Sequence, residues 1–202
     1  MKKIINTWYL ELTKNELTKN ELIQNELLIS VADLPQQNAL YHLEKISHQL
    51  PELNRFLYLS VGADWCWYER LTWTYSEWCQ HLENTHLQTW VAYKNGLPLG
   101  YFEICLQQET QEVEISYFGL LPFAIGKGFG RALLEDAIAK AWDFGGKRVW
   151  LHTCTLDHPK ALSNYLARGF KIFKEEKTLE ELPNEAIEPW VLAGRTSPKS
   201  NW

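Results

Sequence analysis

The spacing of apolar residues changes several times along this chain, and each change marks an element. From Thr89 to Lys94 apolar and polar positions alternate with the period of a strand, and Asn95-Gly96 supplies a hairpin turn. A second strand is expected over Pro98–Gln107, a turn near Gln108–Gln111, and a further strand over Glu112–Leu121. The period then lengthens. Phe129, Leu133, Leu134, Ala137, Ile138 and Ala141 form one stripe on a helix over Gly128–Phe144, which Gly145-Gly146 ends. A strand over Arg148–Thr155, a helix over Pro159–Arg168 stopped by Gly169, and a strand over Phe170–Lys177 complete this half.

The first half is less regular. Thr7–Leu12 reads as a strand, and Ala39, Leu40, Leu43 and Ile46 predict an amphipathic helix from Pro35 to about Ser47, opened by Asp33. Further helices are expected over Glu52–Val61 and from Thr74 through Trp78 to Leu82. The segment between them, Asp64–Trp73, is too aromatic for an ordinary solvent loop. Between about 11 and 27 a pentapeptide recurs: Glu11-Leu-Thr-Lys-Asn15, Glu16-Leu-Thr-Lys-Asn20, Glu21-Leu-Ile-Gln-Asn25. Five residues are too few for a solenoid unit, and the period suits neither helix nor strand, so it reads as an expanded surface insertion. From about 178 the chain is an irregular tail rich in Pro and Glu, in which Trp190–Ala193 is a candidate edge strand. The order of elements predicts one α+β domain over 1–202, with a mixed, mostly antiparallel sheet of six to seven strands and helices on both faces.

Composition narrows the partners. The chain has 202 residues with 20 Lys and Arg against 25 Asp and Glu, a formal charge of -5, and no basic run. Binding to nucleic acid through counterion release requires clustered cations, so no nucleic-acid partner is expected. No apolar run approaches eighteen residues and no leader pattern is present, so the expectation is a cytoplasmic protein with no membrane partner. Cys66, Cys79, Cys105 and Cys154 lack metal-ligand spacing, and neither a metal nor a disulfide framework is expected. Ten tryptophans read first as core and second as a ligand-facing surface.

The chemistry concentrates in Leu120-Leu-Pro-Phe-Ala-Ile-Gly126-Lys-Gly128-Phe-Gly130-Arg131, directly before the helix. Glycines on alternate positions let the backbone curl and approach a ligand closely. Free N–H groups at the helix start, with its dipole, suit a pyrophosphate, and Lys127 and Arg131 add charge. A flexible glycine loop is the plain alternative. A Walker loop is excluded, because Leu121 stands where its first glycine belongs and Gly128 where Ser or Thr belongs. The dinucleotide fingerprint is excluded by Arg131.

This strand–glycine-turn–helix segment resembles the acyl-CoA signature of the GNAT superfamily, [Arg/Gln]-x-x-Gly-x-[Gly/Ala]. Gly128 and Gly130 match, and Ile125 departs from the first position. Downstream, Ala161-Leu-Ser-Asn-Tyr165-Leu-Ala-Arg-Gly169-Phe170 resembles the second motif, with His158 where Asn usually stands. The resemblance covers roughly Thr89 to Lys177. It implies acetyl-CoA as co-substrate, held by Leu120, Leu121, Ile125, Gly126, Lys127, Gly128, Phe129, Gly130, Arg131 and His158. It implies transfer to a primary amine, on a small molecule or a peptide, by direct attack in a ternary complex. A homodimer is admitted because dimers are common in the superfamily. Ile125 and His158 keep a second reading open, that of a non-catalytic acyl-CoA-binding or regulatory module.

Amine attack on a thioester requires a base, an acid for the leaving thiolate, and a donor to the carbonyl. Glu114, eleven residues before Ile125, stands where histone-type members carry their base, and Tyr165 is the corresponding acid. Strand alternation groups Glu112, Glu114 and Ser116 opposite Val113, Ile115 and Tyr117, so Glu114 could equally line a solvated face. Glu103 is a weaker substitute. His158 either orients the thioester or caps the helix behind Pro159. Cys154 with His152 nearby is a candidate nucleophile, against a structural buried cysteine. Trp65, Trp67, Tyr68, Arg70 and Trp73 are expected partly to wall the acceptor side and partly to pack.

Overall fold

The computed structural model describes residues 2–13, 40–48 and 50–182. The pentapeptide beyond Thr13, the start of the expected 35–47 helix and the expected strand at 190–193 lie outside them.

Strands β1 (Lys2–Thr13), β2 (His42–Lys45), β3 (Leu87–Lys94), β4 (Leu97–Gln107), β5 (Glu112–Leu120), β6 (Arg148–Cys154) and β7 (Lys171–Glu181) form one sheet. Its order is β2-β3-β4-β5-β6-β1-β7. Neighbours run antiparallel except β5 and β6, which are parallel. Helices α1 (Pro51–Gly62) and α2 (Tyr75–Leu82) precede β3, α3 (Phe129–Asp143) crosses from β5 to β6, and the short α4 (Ala161–Leu166) lies between β6 and β7. This is the mixed, mostly antiparallel α+β sheet that the sequence predicts.

Local chemistry sets the boundaries. Asn95 and Gly96 both take positive φ, 52° and 78°, as a two-residue turn twisting with its strands requires. α2 opens on a capping box: the Thr74 hydroxyl accepts from Glu77 N–H, and the Glu77 carboxylate accepts from Thr74 N–H. Pro51 stands at the first turn of α1, where its missing N–H costs nothing.

Apolar surface is buried on both faces of the sheet. On one, Leu133, Leu134, Ala137 and Ala141 of α3 are wholly enclosed against Phe102, Ile104, Val113 and Leu151. Each buried leucine contributes roughly 2 kcal/mol. On the other, Leu57 and Val61 of α1 pack on Val91, Tyr101 and Leu121. The turn after α1 is tight: a Cβ on Gly62 would sit 2.4 Å from the Trp67 ring. Gly62→Ala should therefore destabilise the fold by about 1–3 kcal/mol, measurable by urea unfolding.

The expected helix up to Ser47 is corrected, for His42–Lys45 is a strand paired with Trp90–Tyr93. Leu43 and Ile46, read as one helical stripe, pack on opposite cores, Leu43 with the α3 side and Ile46 with the α1 side. Pairing with the β3 edge overrides an i, i+3 coincidence over a few residues. Smaller differences are a longer first strand, and a helix at Ala161–Leu166 shorter than expected.

Candidate active site

β5 and β6 stay together for only three residue pairs, Glu112–Arg148, Val113–Val149 and Glu114–Trp150. Arg148 binds the closed end by donating to Glu112 at 2.8 Å and to Glu11 on β1 at 2.5 Å. Beyond Glu114 the strands part, and a cleft of about 740 Å³ opens between them. β5 keeps β4 as a partner as far as Leu120, so only its β6-facing edge is left open.

A bulge re-aims β5 at this fork. Glu103 faces Tyr117 while Ile104 faces Ile115, which leaves Ser116 as the extra residue. Val113 and Ile115 point to the α3 side, and after the bulge so does Phe118, whereas Tyr117 turns toward α1. The expected grouping of Tyr117 with Val113 and Ile115 is therefore corrected: Tyr117 joins the Glu114 face.

One end of the cleft is the glycine turn. Gly126 and Gly128 have φ of 79° and 85°, which a side chain resists, and a Cβ on either would meet nothing within 4 Å. Glycine serves the backbone path here, and the turn presents an open surface. No side chain caps α3, so the N–H groups of its first turn are left without intrahelical acceptors. Gly126, Gly130, Arg131, Leu120 and Ile125 line the cleft. Leu121 and Phe129 are buried in the two cores instead, and they hold the turn from behind. Lys127 lies over the Phe123 ring at 5.7 Å. Arg131 pairs with Glu135 at 2.9 Å on the same helix face. Asn164, which sequence reasoning did not single out, donates its amide to the Gly130 carbonyl at 3.3 Å and ties α4 to the turn.

Tyr165 lines the cleft from α4, with its ring set edge-on to Phe118 and Phe170 at 6.1 Å each. Burial pushes its hydroxyl well above the usual tyrosine range, and Asp157 adds to the effect. His158 stands at the rim, edge-on to Trp65, and its Nδ1 accepts from Lys160 N–H at 3.0 Å. That bond closes the turn ahead of α4, whose own first residue carries no side-chain cap, and the same ring also borders the cleft. Asp157 folds the end of β6 by accepting from the Thr153 hydroxyl and Cys154 N–H.

Glu114 lies on the same face as His152, with Oε1 3.9 Å from Nδ1. Burial raises its proton affinity, partly offset by His152 and a hydrogen bond from Ser116. His152, Ser116, Tyr117 and Glu69 line the cleft, whereas Glu114 stands behind that lining. The Cys154 thiol is pushed up by burial and by Asp157, and its sulfur accepts from Leu156 N–H. A protonated, hydrogen-bonded thiol fits the structural reading and not that of a nucleophile.

The aromatic segment divides. Trp65, Trp67, Tyr68 and Glu69 wall the cleft. Arg70 turns inward, donating to Glu103 at 2.8 Å with its guanidinium 4.1 Å from the Tyr117 ring and 4.9 Å from that of Trp73. Glu103 is wholly buried and also hydrogen-bonded to His81 and Asn54 at 3.3 Å each. Burial alone would raise its pKa; His81 and the Arg70 charge outweigh that and hold it at about 2. Glu103 is thus a structural anion and not a substitute base, and Arg70 does not face an acceptor.

The fold and this cleft define a class, and comparison with known proteins gives the family. The profile described as Acetyltransferase (GNAT) family matches residues 39–170, and the chain belongs to that family. Uncharacterized N-acetyltransferases of Mycobacterium bovis and Mycobacterium tuberculosis are 30% identical to it over 97 residues, 48% of this chain and 61% of theirs. The chain thus spans about three fifths of the length of these curated relatives. Among solved structures, an aminoglycoside acetyltransferase from an uncultured soil metagenomic sample superposes with a TM-score of 0.54 at 16% identity, over 73% of this chain and all of that one. The ribosomal-protein-S18-alanine N-acetyltransferase of Escherichia coli gives 0.51 at 15%, over 65% and 78%. At such identities they share the fold. No helix among the described residues is long and apolar enough to cross a membrane.

Proposed function

We propose that this protein transfers the acetyl group of acetyl-CoA to a primary amine by direct attack within a ternary complex. The observation that carries the reading is the continuity of one cleft, from the uncapped start of α3 at Gly126–Arg131, along the open edge of β5, to Tyr165 and the Glu114–His152 face. Membership of the GNAT family and the two amine-modifying neighbours in fold support it.

Each part of the cleft has a task. The N–H groups at the start of α3 and the Arg131 guanidinium suit a pyrophosphate, and the dipole of α3 adds to their field. The open β5 edge offers backbone donors and acceptors to the amides of a pantetheine arm and a donor to a thioester carbonyl. Acetyl-CoA supplies the activated acyl group. The Glu114–His152 face supplies the negative charge and the proton acceptor that deprotonation of the amine requires, and the Tyr165 hydroxyl, protonated at neutral pH, hands a proton to the departing sulfur. Since the cradle acts through its backbone, Ile125 in place of a polar residue does not empty it.

Gly128→Val should weaken acetyl-CoA binding by about tenfold or more, because a branched side chain resists φ of 85° and projects from the open face of the turn. Calorimetric titration checks this. Initial rates with acetyl-CoA and amine varied together should give intersecting lines, and parallel lines would contradict direct attack.

A further inference from the structure

Glu114 has the charge of a base but not the position of one. Its strand site pairs with Trp150, the last pair before β5 and β6 separate, and the cleft begins one step further out. His152 occupies that step. It follows Trp150 by two residues on β6, so it shares a face with Trp150 and Cys154, and its imidazole borders the cleft while Glu114 does not. Nδ1 faces Glu114 at 3.9 Å, an ion-pair separation, which leaves Nε2 as the ring nitrogen for the cleft. The Tyr9 ring packs on the imidazole with centroids 5.8 Å apart and limits its rotation.

We infer that His152 is the group that takes the proton from the acceptor amine, and that Glu114 acts through it as a positioning carboxylate. The inference rests on the acetyl-transfer reading above. An ammonium acceptor gives one proton to His152 Nε2, and the imidazolium is stabilised by the Glu114 carboxylate behind it. The nitrogen lone pair then forms the C–N bond to the acetyl carbon as the C–S bond breaks. The sulfur leaves with the bond electrons, and the second nitrogen proton passes to it by way of the Tyr165 hydroxyl. His152 returns its proton to water, so the products are amide, free thiol and one proton.

Other charged groups bear on this imidazole, and none replaces Glu114. From β1, Tyr9 donates its hydroxyl to Glu176 on β7, and Lys174 balances Glu176 at 2.7 Å. From β6, Cys154 carries a protonated thiol. Glu69 accepts from the Tyr117 hydroxyl at the cleft wall, and the nearest buried cation, Arg70, is matched to Glu103. Among the described residues, Glu114 is the carboxylate at ion-pair distance from His152.

The test compares His152→Gln and Glu114→Gln with the unaltered protein, measuring turnover against pH and acetyl-CoA binding separately. His152→Gln should lower kcat about 100-fold, leave acetyl-CoA affinity unchanged, and abolish the fall of activity on the acid side. Glu114→Gln should lower kcat less, by about tenfold, and should also leave acetyl-CoA affinity unchanged. In Glu114→Gln the ring signals of His152, followed by NMR without any substrate, should change, because the carboxylate facing Nδ1 fixes which ring nitrogen carries the proton. If His152→Gln turns over like the unaltered protein, or Glu114→Gln leaves the His152 signals unmoved, the assignment is overturned and acetyl transfer stands. If the unaltered protein binds acetyl-CoA and acetylates no amine, both fail.

Discussion

Arg70→Met should destabilise the protein by about 3–5 kcal/mol, although the residue touches no ligand. The replacement leaves Glu103, wholly buried, without its principal cation. His81 and Asn54 still donate to the carboxylate but do not match a full guanidinium charge. Urea unfolding checks the loss, and Arg70→Met with Glu103→Leu should recover much of it, since a buried pair replaced as a whole costs far less than one broken. Acid unfolding gives the same information. Glu103 is held at about 2 against an ordinary carboxylate of 4.5. Its folded pKa is depressed, so its contribution is complete above about 4.5 and is lost as pH falls through about 2. In Glu103→Gln that part of the acid dependence should vanish. The pair also fixes function, because Trp65 to Glu69 line the cleft directly before Arg70, and Arg70 N–H is held by the Tyr58 hydroxyl. The Michaelis constant for the amine should rise in Arg70→Met.

Tyr165→Phe should lower kcat by about 100-fold while leaving stability and acetyl-CoA affinity close to those of the unaltered protein. The ring is what packs, edge-on to Phe118 and Phe170, and phenylalanine keeps it. Only the proton donor is removed. Because burial pushes this hydroxyl up, it stays protonated through the neutral range, and any alkaline decline near neutrality belongs to another group. Stopped-flow thiol release beside calorimetric binding separates the two effects.

Much of this was legible along the chain, for local reasons. Gly126 to Arg131 announces a tight turn and a helix start within a few residues, and the turn has that form. The α3 stripe and the Asn95-Gly96 hairpin are equally local. What escaped depends on distance or on a count of one. The bulge at Ser116 is a single added residue among Ile115, Tyr117 and Phe118, where every position is apolar enough to face either way. Arg70 and Glu103 meet across 33 positions, and nothing near either says that the arginine is buried. Asn164 lies inside a recognisable motif, but its bond to Gly130 spans 34 residues. Leu43 and Ile46 misled because a three-residue interval looks helical until the β3 edge supplies a partner. Glu114 reads from the sequence as one residue of a strand face, and only the depth of the fork shows that His152 lines the cleft where Glu114 does not.

The central claim is that one cleft binds acetyl-CoA and passes its acyl group to an amine. The most direct measurement is thiol release on incubation with acetyl-CoA and a panel of primary amines, small and peptidic. Release should require the amine, saturate with acetyl-CoA and yield an equal amount of N-acetylated product. Acetyl-CoA bound in the cleft with no amine-dependent thiol across the panel would contradict it, and would favour a binding module that does no chemistry.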